Sequence, residues 1–305
     1  MSHVGVQSGG MPVRVDFNQV PASTIPYSAS RVPFQQWTRL ISDEGVGFAS
    51  YEGLQMELLH RVRNGISFQA SYVLAKNLGE AGTAATPSFF PGEVPPNQLT
   101  DRFNTRYDRG NLPGSRRNHF LLTGLFSLPF GRGRAIGANW RGLKQGALGG
   151  WELSTVSMIE SGPYQTPTIS PALDQSNTDV AARLVGARPD RVGNGNLSDP
   201  TPSMYYDQSA FIPVPSGEGR FGNAGSGILE GPGTIAISAG LAKSFPLTEK
   251  LKLRAEATFT NLPNHPNFLP PSVNISSLLF GKFTQVQSAE NSGNRTGQVA
   301  LRLDF

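Results

Sequence analysis

A chain of 305 residues has the length of one large domain or two ordinary ones, yet only 38% of it is apolar, while Gly (35) and Pro (24) are plentiful, so long polar loops are implied. No run approaches the ~20 consecutive apolar residues of a membrane-spanning helix, and the absence of cysteine excludes a disulfide scaffold or a thiolate metal site. The 26 Lys and Arg against 22 Asp and Glu give a formal charge of +4 that is spread along the chain, which lends nucleic-acid binding no support.

In chain order, Met1 to Phe17 lacks the basic, apolar and small-residue succession of a secretory leader. A membrane-barrel reading therefore expects this chain to be the C-terminal piece of something longer. Residues 1–47 are read as the start of that fragment, one short strand (Val13, Val15 and Phe17 alternating with Arg14 and Asp16) followed by a loop, and residues 48–305 as the barrel portion.

Strict period-two alternation, the mark of a strand with two unlike faces, then recurs. Ser50 to Arg61 sets Leu54, Met56 and Leu58 against Gln55 and Glu57, and Gly65 to Lys76 sets Ile66, Phe68, Ala70, Tyr72 and Leu74 against Ser67, Gln69 and Ser71. Arg63-Asn64-Gly65 between them is a tight-hairpin signal, because Asn and Gly tolerate positive φ. Asn118 to Leu128 follows, then the less regular Trp151 to Ser161, then Thr234 to Phe245, which carries Ile235, Ile237, Ala239, Leu241 and Phe245 on one side. Leu251 to Asn261 opposes Leu253, Ala255, Ala257 and Phe259 to Lys252, Arg254, Glu256 and Thr258. The last segment, Arg295 to Phe305, carries Val299, Leu301, Leu303 and Phe305 on one face and Gln298, Ala300, Arg302 and Asp304 on the other.

That terminal segment alone fits an edge strand of a soluble sheet as well as the closing strand of an outer-membrane barrel. The links decide between them. Long links precede Ser50 and separate Lys76 from Asn118, Ser161 from Thr234 and Asn261 from Arg295; tight ones lie at Val62 to Asn64 and Pro246 to Lys250, and Pro129 to Gly150 is intermediate. Outer-membrane barrels alternate short periplasmic turns with long extracellular loops, and this parity holds at every link. The expected fold is therefore all-β: an antiparallel transmembrane β-barrel segment of about eight meandering strands in the cell outer membrane. Lys252, Arg254, Glu256, Gln298, Arg302 and Asp304 are expected to face a wet lumen. Phe130, Trp151, Phe245 and Phe305 fall at one level, that of an inner aromatic belt, and Lys243, out of phase on the apolar face, is placed to snorkel.

Little in the sequence points to chemistry. His3, His60, His119 and His265 are scattered without metal-site spacing. The glycine-rich run Gly222 to Gly227 looks superficially like a phosphate loop but precedes a strand. Asp190, Asn194, Asn196 and Asp199 offer oxygens to calcium without the spacing of a calcium loop, so turn chemistry is the favoured reading. Glu152 and Glu160 sit at opposite ends of one strand, too far apart to act together. Arg102, Arg106, Arg109, Arg116 and Arg117 beside Asp101 and Asp108 suit a solvated salt-bridge face more than an anion or lipid-headgroup site. No catalytic residue, metal or cofactor is expected.

Several stretches resemble the barrel of TonB-dependent receptors, and the Oar-like transporters in particular. They are the hairpin Tyr51 to Asn77, Arg117-Asn118-His119-Phe120 running to Leu128-Pro129-Phe130-Gly131-Arg132-Gly133, and Gly149-Gly150-Trp151-Glu152-Leu153 running to Glu160-Ser161-Gly162-Pro163. Further on come Phe221-Gly222-Asn223-Ala224-Gly225, Glu230-Gly231-Pro232-Gly233, Lys243-Ser244-Phe245, and Thr260-Asn261-Leu262-Pro263-Asn264-His265-Pro266-Asn267-Phe268, the most distinctive. The resemblance implies a wide barrel filled by a plug, uptake of a bulky ligand and energy delivered through TonB. This chain departs from that pattern in showing no plug, TonB box or leader and only about eight strands. Plug and TonB would thus act only through a missing N-terminal part, and transport by this polypeptide alone is not expected. Val299, Leu301, Leu303 and Phe305 resemble the terminal signal read by the barrel-assembly machinery. Outer-membrane lipid is the expected surroundings, and loops Gly79 to Arg116, Gly162 to Gly233 and Pro263 to Asn294 would meet an extracellular ligand that the sequence does not name. Alternatives are a self-contained small barrel acting as adhesin or structural protein, and a soluble extracellular β-rich binding module.

Overall fold

The computed structural model describes residues 1–63, 65–80, 98–248, 250–288 and 293–305. Eight strands form one antiparallel meander in strict sequence order: β1 (Ser2–Asp16), β2 (Ile41–Arg63), β3 (Ile66–Glu80), β4 (Asn118–Ser127), β5 (Trp151–Glu160), β6 (Thr234–Pro246), β7 (Lys252–Thr260) and β8 (Thr296–Asp304). A short strand, Arg109–Asn111, adds to the far end of β3. β1 and β8 are the outer members of this wall, and no ladder joins them among the described residues.

The first strand differs from expectation. It begins at Ser2, far ahead of Val13, and leaves Phe17 outside, while its partner begins at Ile41 instead of Ser50. The reason is a pair of register shifts between Gly9 and Met11 and between Met11 and Val13, with Gly10 at φ +70. A bulge reverses which residues share a face, so a count of strict alternation cannot run through it. At the β2–β3 hairpin, Gly65 adopts φ +80 as the tight-turn reading requires; Asn64 lies outside the described residues.

Register then carries the alternation from strand to strand. Ile66 lies opposite Phe126, Phe126 opposite Leu153, Leu153 opposite Leu241, Leu241 opposite Ala257 and Ala257 opposite Val299, a single apolar row across six strands. On β3 the apolar set from Ile66 to Leu74 extends roughly 27 Å at ~3.4 Å per residue, which after barrel tilt suits an apolar band ~25 Å tall. The opposite face carries Glu152, Ala242, Glu256 and Ala300 in one row. There Arg254 reaches Glu152 at 3.4 Å and Glu256 at 3.6 Å, and Arg302 meets Asp304 at 2.7 Å.

Neither face of the wall packs against a second layer along its length, and Leu58 and Leu59, on opposite faces, are both exposed. The hydrophobic core lies elsewhere. Ile169, Val180, Val185, Tyr206, Phe211, Leu229, Ile275 and Phe280 cluster in a cap built from the long links. Val13 and Val15 do not join the apolar face either. They are buried with Leu99, because the segment after residue 97 folds over them.

Candidate functional site

All the long links leave the wall at one end, and their described residues pack into a single body. The link after β1 is stitched to the link after β3, where Gln19 Nε2 donates to Thr100 O (2.7 Å) and Arg102 N to Gln19 Oε1 (2.8 Å). The link after β5 contributes Arg183, whose Nε donates to Thr178 O (2.7 Å), Nη2 to Asn18 O (2.9 Å) and Nη1 to Asp16 Oδ2, fixing the cap to the end of β1. The link after β7 joins through Thr168 N to Val273 O (2.9 Å), Tyr205 N to Gly281 O (2.7 Å) and the Phe280 ring against Tyr206. Small two-stranded pieces, 164–165 with 229–230, 190–191 with 211–212 and 196–201 with 204–206, stiffen it.

The cap holds buried charge. The Arg188 guanidinium lies 3.5 Å from the Tyr107 ring centroid and donates from Nη2 to Tyr107 O (2.7 Å) and Asp108 Oδ1 (3.1 Å), while Thr100 N donates to Asp108 Oδ2 (2.6 Å). Burial pushes the Tyr107 hydroxyl up to about 12, and it donates to Gly222 O (2.7 Å). The arginine-rich link is therefore not the salt-bridge face its composition suggested. Asp108 pairs with Arg188 from another loop, Arg102 stacks on Phe17 and Phe103, Arg109 on Phe48, and Arg116 pairs with Glu160 (3.3 Å). Apart from Phe103, the neighbour of Arg102, the aromatic surfaces and the carboxylate that these side chains follow are brought by folding from elsewhere in the chain.

The residues considered for calcium are likewise occupied separately. Asp190 takes a bidentate Arg220 (2.8 and 2.7 Å) and Asn223 N (2.9 Å), and Asn196 bonds Ile228 O and Glu230 N. The histidines stay apart: His3 meets Glu52 (3.0 Å), His119 meets Glu160 (2.5 Å), His60 stacks on Phe68 and His265 contacts Asn267 (3.2 Å). No group of metal-binding side chains occurs among the described residues.

Asn267 has a role that the sequence reading missed. Its side-chain amide pairs with both backbone groups of Ile235 (2.8 and 2.9 Å), standing in for a neighbouring strand at the start of β6. The signal was present, since Asn in a Pro-rich loop after a strand commonly bonds backbone, but its partner lies 32 residues away.

Where cap meets wall, a recess of about 340 Å³ is lined by Ser161, Asn196, Tyr205 and Glu230 among others. A second, about 470 Å³, is lined by His3, Glu52, Lys76, Arg117 and Tyr164. Parts of the loops expected to meet a ligand, 81–97 and 289–292, lie outside the described residues. Of the residues singled out in the last two strands, Lys252, Arg254, Glu256, Gln298, Arg302 and Asp304 share one face, and Val299, Leu301 and Leu303 share the other.

An antiparallel meander with one continuous apolar face, turns at one end and a folded cap at the other is the architecture of a membrane barrel wall, and residues 1–298 match the family described as outer membrane beta barrel domain. The chain belongs to that family. No curated protein and no solved structure matches it. As an outer-membrane barrel domain it places its apolar face toward lipid and resides in the outer membrane. The short turns then lie on the periplasmic side and the cap outside the cell.

Proposed function

We propose that these eight strands form part of the wall of a TonB-dependent transporter of the Oar-like kind, taking up a bulky nutrient captured at the cap. The observation that carries this reading is the cap itself. The links after β5 and β7 share a hydrophobic core to which described parts of the links after β1 and β3 are hydrogen-bonded, far more structure than a passive wall requires, and a folded outer surface is what ligand capture needs. In this reading Lys252, Arg254, Glu256, Gln298, Arg302 and Asp304 line the lumen, and plug and TonB act through the N-terminal portion of the transporter. Val299, Leu301, Leu303 and Phe305 are read by the barrel-assembly machinery, and the domain binds and conveys without catalysing.

The test is growth of a strain whose gene lacks residues 161–233, compared with its parent on a panel of bulky nutrients as sole source. Loss of one uptake that also disappears when TonB is removed supports the proposal. Uptake that persists without TonB overturns it in favour of a self-contained barrel.

A further inference from the structure

The link between β4 and β5 does something that a periplasmic turn need not do. It forms a short helix, α1 (Gly142–Leu148), seated on the apolar face of the wall at its turn end. Lys243, on that face opposite Trp151, is almost fully buried; its ammonium donates to Gln145 O (3.4 Å) and Gly146 O, between the Trp151 and Phe245 rings. Trp151 Nε1 donates to Ala147 O (2.9 Å), and Gln145 Oε1 accepts from Arg132 N (2.7 Å). The helix is thus held to the wall by its last-turn carbonyls, and the lysine expected to snorkel is its clamp.

The side turned away from the wall combines two chemistries. Leu143 is 94% exposed and Leu148 and Ile136 are exposed as well, while Lys144 lies 4.9 Å from the Trp140 ring. Between Pro129 and Gly150 the chain carries Arg132, Arg134, Arg141 and Lys144 and no acidic residue. Exposed leucine and half-buried tryptophan within a purely cationic segment, pinned to the lipid-facing side at the edge of the apolar band, fit a membrane interface.

We infer that Pro129 to Gly150 is an interfacial anchor for an anionic phospholipid surface. Leu143 and Leu148 enter the acyl boundary, and the cations meet headgroup phosphates at the periplasmic level. The anchor fixes the depth of the wall and, through Lys243, shields a charge that would otherwise face lipid.

Because the chain has no cysteine, single cysteines can be introduced and labelled with a fluorophore at Leu143 in the anchor, Leu301 on the lipid face of β8 and Val192 in the cap, all exposed. The full chain is reconstituted into vesicles of brominated phosphatidylcholine, with or without phosphatidylglycerol. Quenching at position 143 comparable to that at 301, with 192 unquenched, is expected. Quenching at 301 but not at 143 overturns the anchor and leaves the wall's orientation intact; no quenching at 301 overturns both. Phosphatidylglycerol should raise quenching at 143, and Arg132→Glu with Arg141→Glu should cancel that gain, since each cation favours the seated state by roughly fivefold. An unchanged response in the double variant overturns the charge recognition.

Discussion

Arg183 makes three hydrogen bonds in a buried site, to Thr178 within its own link, to Asn18 in the link after β1 and to Asp16 at the end of β1, the last of which ties the cap to the wall. Removing one partner of a buried ion pair leaves the other desolvated and alone, at a cost of about 3–5 kcal/mol. Arg183→Ala should therefore loosen the cap, seen as faster cleavage by an added protease within residues 161–233 while the membrane wall stays resistant; equal resistance of both proteins would show the contact to be dispensable. Asp190 makes a pH-dependent contact. The Arg220 guanidinium and the Asn223 N–H hold its carboxyl below the ordinary value of 3.8. A depressed carboxyl stabilises the fold above its unfolded pKa and loses that contribution as pH falls through the folded one. Amide exchange at Asn223 should accordingly quicken below pH ~4, and Asp190→Asn should flatten that dependence. Arg220 is partly exposed, so the effect is modest.

At the scale of elements, the end of β5 depends on a backbone that only glycine permits. A Cβ on Gly162 would stand 1.6 Å from Gly231 O, and backbone cannot yield as a side chain does. Gly162→Ala should part the 164–165 and 229–230 strands, detected as lost amide protection at Leu229, whereas protection equal to the parent's would mean the backbone rearranges cheaply. For β8, Leu303→Asp and Phe305→Ala should reduce the amount of chain assembled in the outer membrane, and Asp304→Asn should be mild; equal effects of all three would refute the two-faced assignment. These strands were legible because period two survives wherever no bulge intervenes: β7 and β8 keep it from end to end, β6 keeps it except at Lys243, and β3 keeps it as far as Leu74. β1 was largely missed because its Gly9-Gly10 bulge inverts the pattern, so that Val4 and Val6 share the face of Tyr51 and Gly53. The cap was read only as loops, since strands of two to six residues are too short for periodicity. Its ion pairs join positions as far apart as Asp16 and Arg183, with no local signal to link them. α1 is a seven-residue helix, below the length at which an apolar stripe can be told from chance.

Over the whole molecule, cap and wall are held by different forces, and this separates their stabilities. The wall is a continuous ladder whose apolar face is exposed until lipid covers it, whereas the cap has a buried apolar cluster and buried ion pairs. Thr234 lies opposite Glu160 in the β5–β6 register, so residues 161–233 could be replaced by a tight Asn-Gly turn without moving either strand. That replacement removes most of the cap's core but no wall hydrogen bond between β5 and β6. In lipid or detergent, amides of β5 and β6 should then keep their protection from exchange. Those of residues 267–283 should lose theirs, because Val273, Ile275 and Phe280 pack against the excised segment. Two cooperative units of unequal stability would produce that contrast. If the wall amides lost protection together with the cap, the two would constitute one unit, and the cap would be a structural buttress of the barrel before it was a surface for capture.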